Sequence, residues 1–293
     1  MNKRVFFLIL FLLVFFACSI NWAQSADQPV QDPNTPSAQE KKPAVPQPEV
    51  TEKPLPAQLE NLLDRIEKVG AELKSFQADL LFRQEQILLD TVTIRNGKIY
   101  YQTDSKSVYA RIHFDDFLQK ELDDPHPPKP VKFDEDITFD GLWLVLRNAR
   151  TKTIQSWEVS KERRNLEAFR LGKGPFPLPF AIRKKDVIEH FEVSLVKPAA
   201  NDPEDTQHLK LKPRKTSPYA EEYIRMDLWI SNQTTLPLQI SYEKDDYEIT
   251  TVTWIKPLTD KNIDPDIFQL KPPGTDWTVE RHPLEDASED SPK

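Results

Sequence analysis

From Phe76 to Thr253 the apolar residues of this chain recur, segment after segment, at every second position, and that period restricts what it can become. Val108, Ala110, Ile112 and Phe114 alternate with Tyr109, Arg111, His113 and Asp115. Ile224, Met226, Leu228 and Ile230 alternate with Tyr223, Arg225, Asp227 and Trp229, and Leu236, Leu238, Ile240 and Tyr242 repeat the pattern. Successive side chains of a strand point to opposite faces, so a period of two predicts strands with one buried and one wetted face. A long succession of such strands joined by short turns reads as an antiparallel meander, which twists and curls so that one face becomes concave.

The turns are read from short polar punctuation. Asn96-Gly97 is a two-residue hairpin signal, and Asp140-Gly141 precedes a strand, Leu142 to Leu146, that is apolar on both sides. Trp157 and Val159 fall on its hairpin partner. Residues 120–136 are acidic and proline-containing and read as a loop. A helix around Leu166 to Leu171 is followed by a Gly/Pro-rich loop, Gly172 to Pro179; a short helix over Asp186 to His190 then leads into a strand at Phe191 to Val196.

The start of the folded part has a different period. Leu59, Leu62, Leu63, Ile66 and Val69 have helical spacing, with Glu60, Asp64, Glu67 and Lys68 on the other face and Gly70 as a stop. The expected fold is therefore mainly β with a helical lid (α+β): a single incomplete antiparallel β-barrel of about eleven strands, covered by two or three helices over residues 57–280.

The flanks are of a different character. Lys3 and Arg4 precede an apolar run from Val5 to Ala17, and Ala23-Gln24-Ser25 supplies small residues at a cleavage site. This predicts a signal peptide over residues 1–25 and export to the periplasm. Cys18 is the one cysteine, so no internal disulfide can form. It either leaves with the signal peptide or becomes the lipidated first residue of an anchored lipoprotein. Ala17 suits a lipobox, whereas Phe15 stands where an aliphatic residue is usual. Residues 26–56, with eight prolines after Asp27, read as a disordered tether, and residues 281–293 as an acidic disordered tail.

Composition removes several classes of function. A formal net charge of −8 disfavours a nucleic-acid surface. The basic clusters Arg183-Lys184-Lys185 and Lys210-Lys212-Arg214-Lys215 read as solvated edges. The five histidines are dispersed, and neither a zinc-binding spacing, a nucleophile elbow nor a phosphate loop occurs among only six glycines. Asp115-Asp116, Asp123-Asp124 and Asp134-Glu135-Asp136 lack calcium-loop spacing and read as solvated acidic loops. The expectation is a non-enzymatic protein with no metal and no cofactor.

Several elements, in order, resemble the LolA-like outer-membrane lipoprotein carriers. They are Lys74-Ser75-Phe76-Gln77-Ala78-Asp79, Asn96-Gly97-Lys98-Ile99-Tyr100, Phe139-Asp140-Gly141-Leu142-Trp143, Leu211-Lys212-Pro213, Leu236-Pro237, and Ile263-Asp264-Pro265-Asp266-Ile267-Phe268 with Pro272-Pro273-Gly274. The resemblance implies a monomeric periplasmic carrier that holds lipoprotein acyl chains, or lipid, beneath its lid. It also implies an inner-membrane releasing complex and an outer-membrane acceptor as partners. An acceptor lipoprotein anchored through Cys18, or a ligand sensor, uses the same fold. Founding members carry an arginine on the strand after the first hairpin, tying lid to sheet. The stretch Tyr101-Gln102-Thr103-Asp104 has none, with Lys106 and Arg111 nearby. The candidate lining of the concave face is Ile112, Phe114, Trp143, Ile224, Met226, Leu228 and Ile240, with Leu62 and Ile66 as counterparts on the covering helix.

Overall fold

A computed structural model describes residues 55–104, 107–159, 182–270 and 274–284. The signal peptide with Cys18, nearly all of the tether, the expected helix at Leu166 to Leu171 with its following loop, Lys106 and residues 285–293 lie outside the described residues.

Among the described residues twelve strands form one sheet. Strands β1 (Ser75–Gln86), β2 (Thr91–Thr103), β3 (Val108–Glu121), β4 (Val131–Phe139), β5 (Trp143–Asn148) and β6 (Thr153–Glu158) pair each with the next, all antiparallel. Strands β7 (Phe191–Val196), β8 (Thr206–Pro213), β9 (Arg225–Ser231), β10 (Pro237–Glu243) and β11 (Glu248–Thr259) form a second antiparallel run. The two runs join where β1 pairs with β11, from Phe76 opposite Thr259 to Gln86 opposite Glu248. A twelfth strand, β12 (Thr278–His282), adds to the edge by pairing with β6 in parallel. Strands β12 and β7 stand at the two ends, so the sheet is open.

Two α-helices lie among the described residues. Helix α1 (Ala57–Glu72) presents Leu59, Leu62, Leu63 and Ile66, all buried, and its last turn closes where the Leu73 amide donates to the Val69 carbonyl. Gly70 does not stop it; the helix runs two residues further. Those four side chains share one apolar cluster with Phe76, Ile99, Phe114, Phe139, Met226, Leu228 and Ile240 of the sheet. Burying a leucine-sized side chain contributes about 1.5–3 kcal/mol, so this stripe is what holds α1 to the strands. Helix α2 (Lys184–His190) buries Val187. Its Lys184 ammonium reaches Glu60 at 2.9 Å and Asp64 at 2.8 Å on α1, so this member of a basic cluster read as a solvated edge joins the two helices instead.

Three local readings change. Asn96-Gly97 is not a turn: β2 runs straight through it, and the register against β3 shifts there. A Cβ on Gly97 would lie 2.0 Å from the His113 carbonyl oxygen, so glycine permits a close backbone approach at a bulge. The first hairpin turns earlier, through a 3-10 helix at Ile87–Leu89 closed by Asp90 in the left-handed region at φ 50°. The acidic loop is shorter than expected, because β3 continues to Glu121 and β4 begins at Val131. Asp140-Gly141 does turn as anticipated: the Asp140 carboxylate accepts from the amides of Leu142 and Trp143, and Gly141 has φ 91°.

Gly97→Ala should lower stability by about 1–3 kcal/mol, the usual range for forced overpacking, despite the loss of a flexible glycine from the unfolded chain. A urea midpoint indistinguishable from wild type would mean that β2 and β3 do not approach as described.

Candidate functional site: the concave face

The cross-strand register sorts every strand residue onto one of two faces, because directly opposed residues share a face. One row reads Leu80, Gly97 and Phe114; the next reads Ala78, Ile99, Ile112, Ile137 and Leu146. On the other side of β1, Leu80 faces Trp254 and Phe82 faces Val252, then Ile240, Leu228 and Leu209 follow across β10, β9 and β8. All of them but Gly97 belong to, or pack against, the apolar cluster that includes α1 and Val187 of α2, so this is the covered, concave face.

Most of the expected lining lies here. Phe114, Met226, Leu228 and Ile240 are buried in the common cluster with Leu62 and Ile66, and Ile112 is half-buried against it. Two residues do not belong. Trp143 alternates with Leu144 and faces Glu158, which puts it on the convex side, where the Arg281 guanidinium lies 5.1 Å from its ring centroid. The segment Leu142 to Leu146 is apolar on both sides, so parity alone could not orient it. Ile224 stands just before β9 and is 48% exposed, beyond the helical cover, although it continues the parity of Met226 and Leu228.

Toward the β1–β2 turn the concave face changes from apolar to polar. Gln84 faces Thr93 and Thr250, Phe82 faces Arg95, and Glu135 faces Asn148, and all of these polar residues are buried. Gln84 donates to Glu248 at 2.8 Å. Arg95 is 2% exposed and ion-pairs through Nη1 with Glu135, also 2% exposed, at 3.4 Å. The second Glu135 oxygen accepts from the Asn148 amide at 3.0 Å. Four rings surround the guanidinium at 5.1–6.0 Å: Phe82, Phe114, Phe117 and Phe133. Burial lowers the Arg95 pKa and raises that of Glu135, and each partner's charge opposes the other's shift. The strand following the first turn therefore does carry an inward arginine. Among the described residues its hydrogen-bond partner is a strand carboxylate and not a helix.

Asp134-Glu135-Asp136 is thus no solvated loop; it lies in β4, and its members divide between the two faces. Asp134, at φ 49°, marks the irregularity where β3 and β4 shift register. On the convex side Asp136, 1% exposed, accepts from Arg111 at 2.8 Å, from Arg147 at 2.9 Å and pairs with His113 at 2.9 Å. Arg111 also donates to the Ile267 carbonyl, and Arg147 lies 5.1 Å from the Trp277 ring, so this cluster clasps the C-terminal segment to the sheet. His113, Asp134 and Asp136 bring atoms within 4.8 Å of one another, the spacing of a cation site. Arg111 and Arg147 already neutralise the two carboxylates, and a cation would have to displace them. No sequence signal announced this cluster, because its members come from three strands.

The architecture is an incomplete barrel with a helical cover. No family model matches the sequence, and no curated protein matches it. Similar solved structures include an uncharacterized conserved protein from Thermus thermophilus, at 11% identity and TM-score 0.44, covering 77% of this chain and 99% of that one. A chain of the MucA/MucB complex of Pseudomonas aeruginosa is similar at 14% identity and TM-score 0.39, over 73% of this chain and 62% of that one. A LolA superfamily protein from Nitrosomonas europaea is similar at 10% identity and TM-score 0.31, over 72% and 97%. At these identities and TM-scores the likeness assigns no function.

The convex cluster makes a pH dependence calculable in sign. The Asp136 hydrogen bond holds the His113 pKa above its ordinary value of about 6.5, with burial opposing. Its contribution to stability is therefore complete below about 6.5 and is lost as pH rises through the folded-state value. A His113→Gln variant should lack the decline in denaturant midpoint that the wild type shows above neutral pH, and NMR titration should place His113 above its ordinary value. Equal pH profiles for the two proteins would show that the pair does not contribute.

Proposed function

We propose that this protein is a non-enzymatic periplasmic carrier that holds lipoprotein acyl chains, or free lipid, against its concave face and moves them toward an outer-membrane acceptor. One observation carries the reading. The concave face is apolar across both halves of the open sheet, yet Ile112, Phe117, Val193, Leu195, Tyr242 and Val252 are only partly buried beside the fully buried core. Partly covered aliphatic and aromatic surface on the inner side of an open sheet suits a ligand that is itself a flexible hydrocarbon. Each methylene transferred from water contributes about 0.8 kcal/mol, so a few acyl chains offset much of the cost of leaving a bilayer.

Release matters as much as binding, and the cover supports it. Helices α1 and α2 are bridged by Lys184 with Glu60 and Asp64, all three at least partly solvated, and solvated pairs of this kind hold only weakly. Movement of one helix against the other would not break a buried polar network. No helix among the described residues is long and apolar enough to cross a membrane. A lipidated Cys18 would attach the chain to a membrane, the feature of an anchored acceptor or sensor.

The test is native mass spectrometry of the exported chain purified without detergent. The expected result is a bound lipid or acylated peptide that is released on denaturation. Ile112→Glu, which places a charge on the half-buried part of the face, should reduce that occupancy at least ten-fold. An empty chain that also ignores added acylated peptide would overturn the carrier reading, and a diacylglyceryl mass on Cys18 would replace it with the anchored acceptor.

A further inference from the structure

The apolar concave face ends in a buried arginine that is underused. Arg95 has five N–H donors, and the described residues occupy one position: Nη1, at a long 3.4 Å from Glu135. Its Nε and Nη2 are buried and have no hydrogen-bond partner among the described residues. Those two atoms form one edge of the guanidinium, the edge that meets two oxygens of a single oxo-acid side by side. Leaving such donors unpaired away from water is costly. The surrounding phenylalanine rings attract the cation but accept no conventional hydrogen bond.

A second arginine stands at the rim of this end of the face. Arg150 lies 5.7 Å from the Phe133 ring centroid, and Arg95 lies 5.1 Å from the same ring. Glu135 is the carboxylate paired with Arg95, and its second oxygen is taken by Asn148. Arg150 is exposed, so water screens its charge; the buried Arg95–Glu135 pair balances itself, and what it lacks is acceptors for the Nε–Nη2 edge.

We propose that Arg95 is a head-group site: its Nε–Nη2 edge binds a monoanionic oxo-acid, carboxylate or phosphate diester, carried on an acyl chain that lies along the concave face. The inference rests on the acyl-binding reading above and adds to it the chemical class of the ligand's head. Phe117, half-buried beside the guanidinium, is where chain and head would meet. Glu135 fixes the guanidinium from its far end and so leaves the receiving edge in place.

The experiment compares ligands of one chain length on the full exported protein: palmitate, palmitoyl-lysophosphatidylglycerol and neutral monopalmitoylglycerol, each by displacement of a fluorescent acyl probe. Wild type should bind at least one anionic ligand ten-fold or more tighter than the neutral one. Which anionic ligand it is distinguishes a fatty acid from a phospholipid source. Arg95→Met combined with Glu135→Gln, which avoids stranding a buried carboxylate, should abolish that preference while still binding monopalmitoylglycerol. Should that double variant not fold, Arg95→Lys, which keeps the charge but not the two-donor edge, should reduce the preference several-fold. Equal affinity of wild type for all three ligands, or a preference that survives loss of Arg95, would overturn this inference and leave acyl binding standing. Failure of wild type to bind any of the three would overturn both.

Discussion

The ladder between β1 and β11 is the interaction on which the remaining architecture depends. Each run of strands is local: β1 to β6 pair in sequence order, and so do β7 to β11. Each run carries only part of the apolar cluster to which α1 belongs. Pairing β1 with β11 brings together residues more than 160 positions apart, Gln84 with Thr250 and Phe82 with Val252, and makes one continuous concave face from two. The buried hydrogen bond from Gln84 to Glu248 lies across this seam. Closing so long a loop costs entropy that only the completed face can offset. Packing α1 on Phe76, Ile99 and their neighbours belongs to the same cooperative step.

The face so formed is not uniformly greasy. Its polar end places Arg95, Glu135 and Asn148 where water does not reach, an arrangement that contributes little net stability compared with well-packed hydrocarbon. A core selected only for stability would fill that space with aliphatic side chains. The cost is accepted at one end of the sheet, where the aromatic rings of Phe82, Phe114, Phe117 and Phe133 hold the guanidinium in place. The neighbouring apolar rows remain partly accessible. An apolar track with one charged terminus is the form expected for an amphiphilic ligand.

The opposite side of the same strands does different work. Asp136 is nearly inaccessible because Arg111, His113 and Arg147 converge on it and the segment after β11 lies over them, with Phe268 against Tyr109 and Trp277 against Arg147. Burial alone would raise the Asp136 pKa; the hydrogen bond from His113 and the charge and hydrogen bond of Arg111 outweigh it and hold the carboxyl low. Consecutive residues of one acidic run, Glu135 and Asp136, thus enter two unrelated networks on opposite faces of β4.

The sequence by itself determined most of the strands and both described helices, because a period of two and a period of 3.6 are local properties of the chain; it missed β4, whose start fell in the expected acidic loop, and β12. It marked α1, the Asp140-Gly141 turn, α2 and the strand at Phe191 to Val196. It also marked Met226, Leu228 and Ile240 as residues of the covered face. It misjudged Asn96-Gly97, since a glycine that permits a turn and one that admits a neighbouring carbonyl look alike until the His113 backbone is in place. Only the tertiary structure decided that Trp143 faces outward, that Ile224 escapes the cover, and that Asp134-Glu135-Asp136 lies in a strand with Glu135 and Asp136 buried. It alone brought Arg95 to Glu135, forty positions away, inside a cage of rings from β1, β3 and β4. The reason is physical: burial and charge pairing are set by which strands become neighbours, and that choice is made by long-range pairing that no local period encodes.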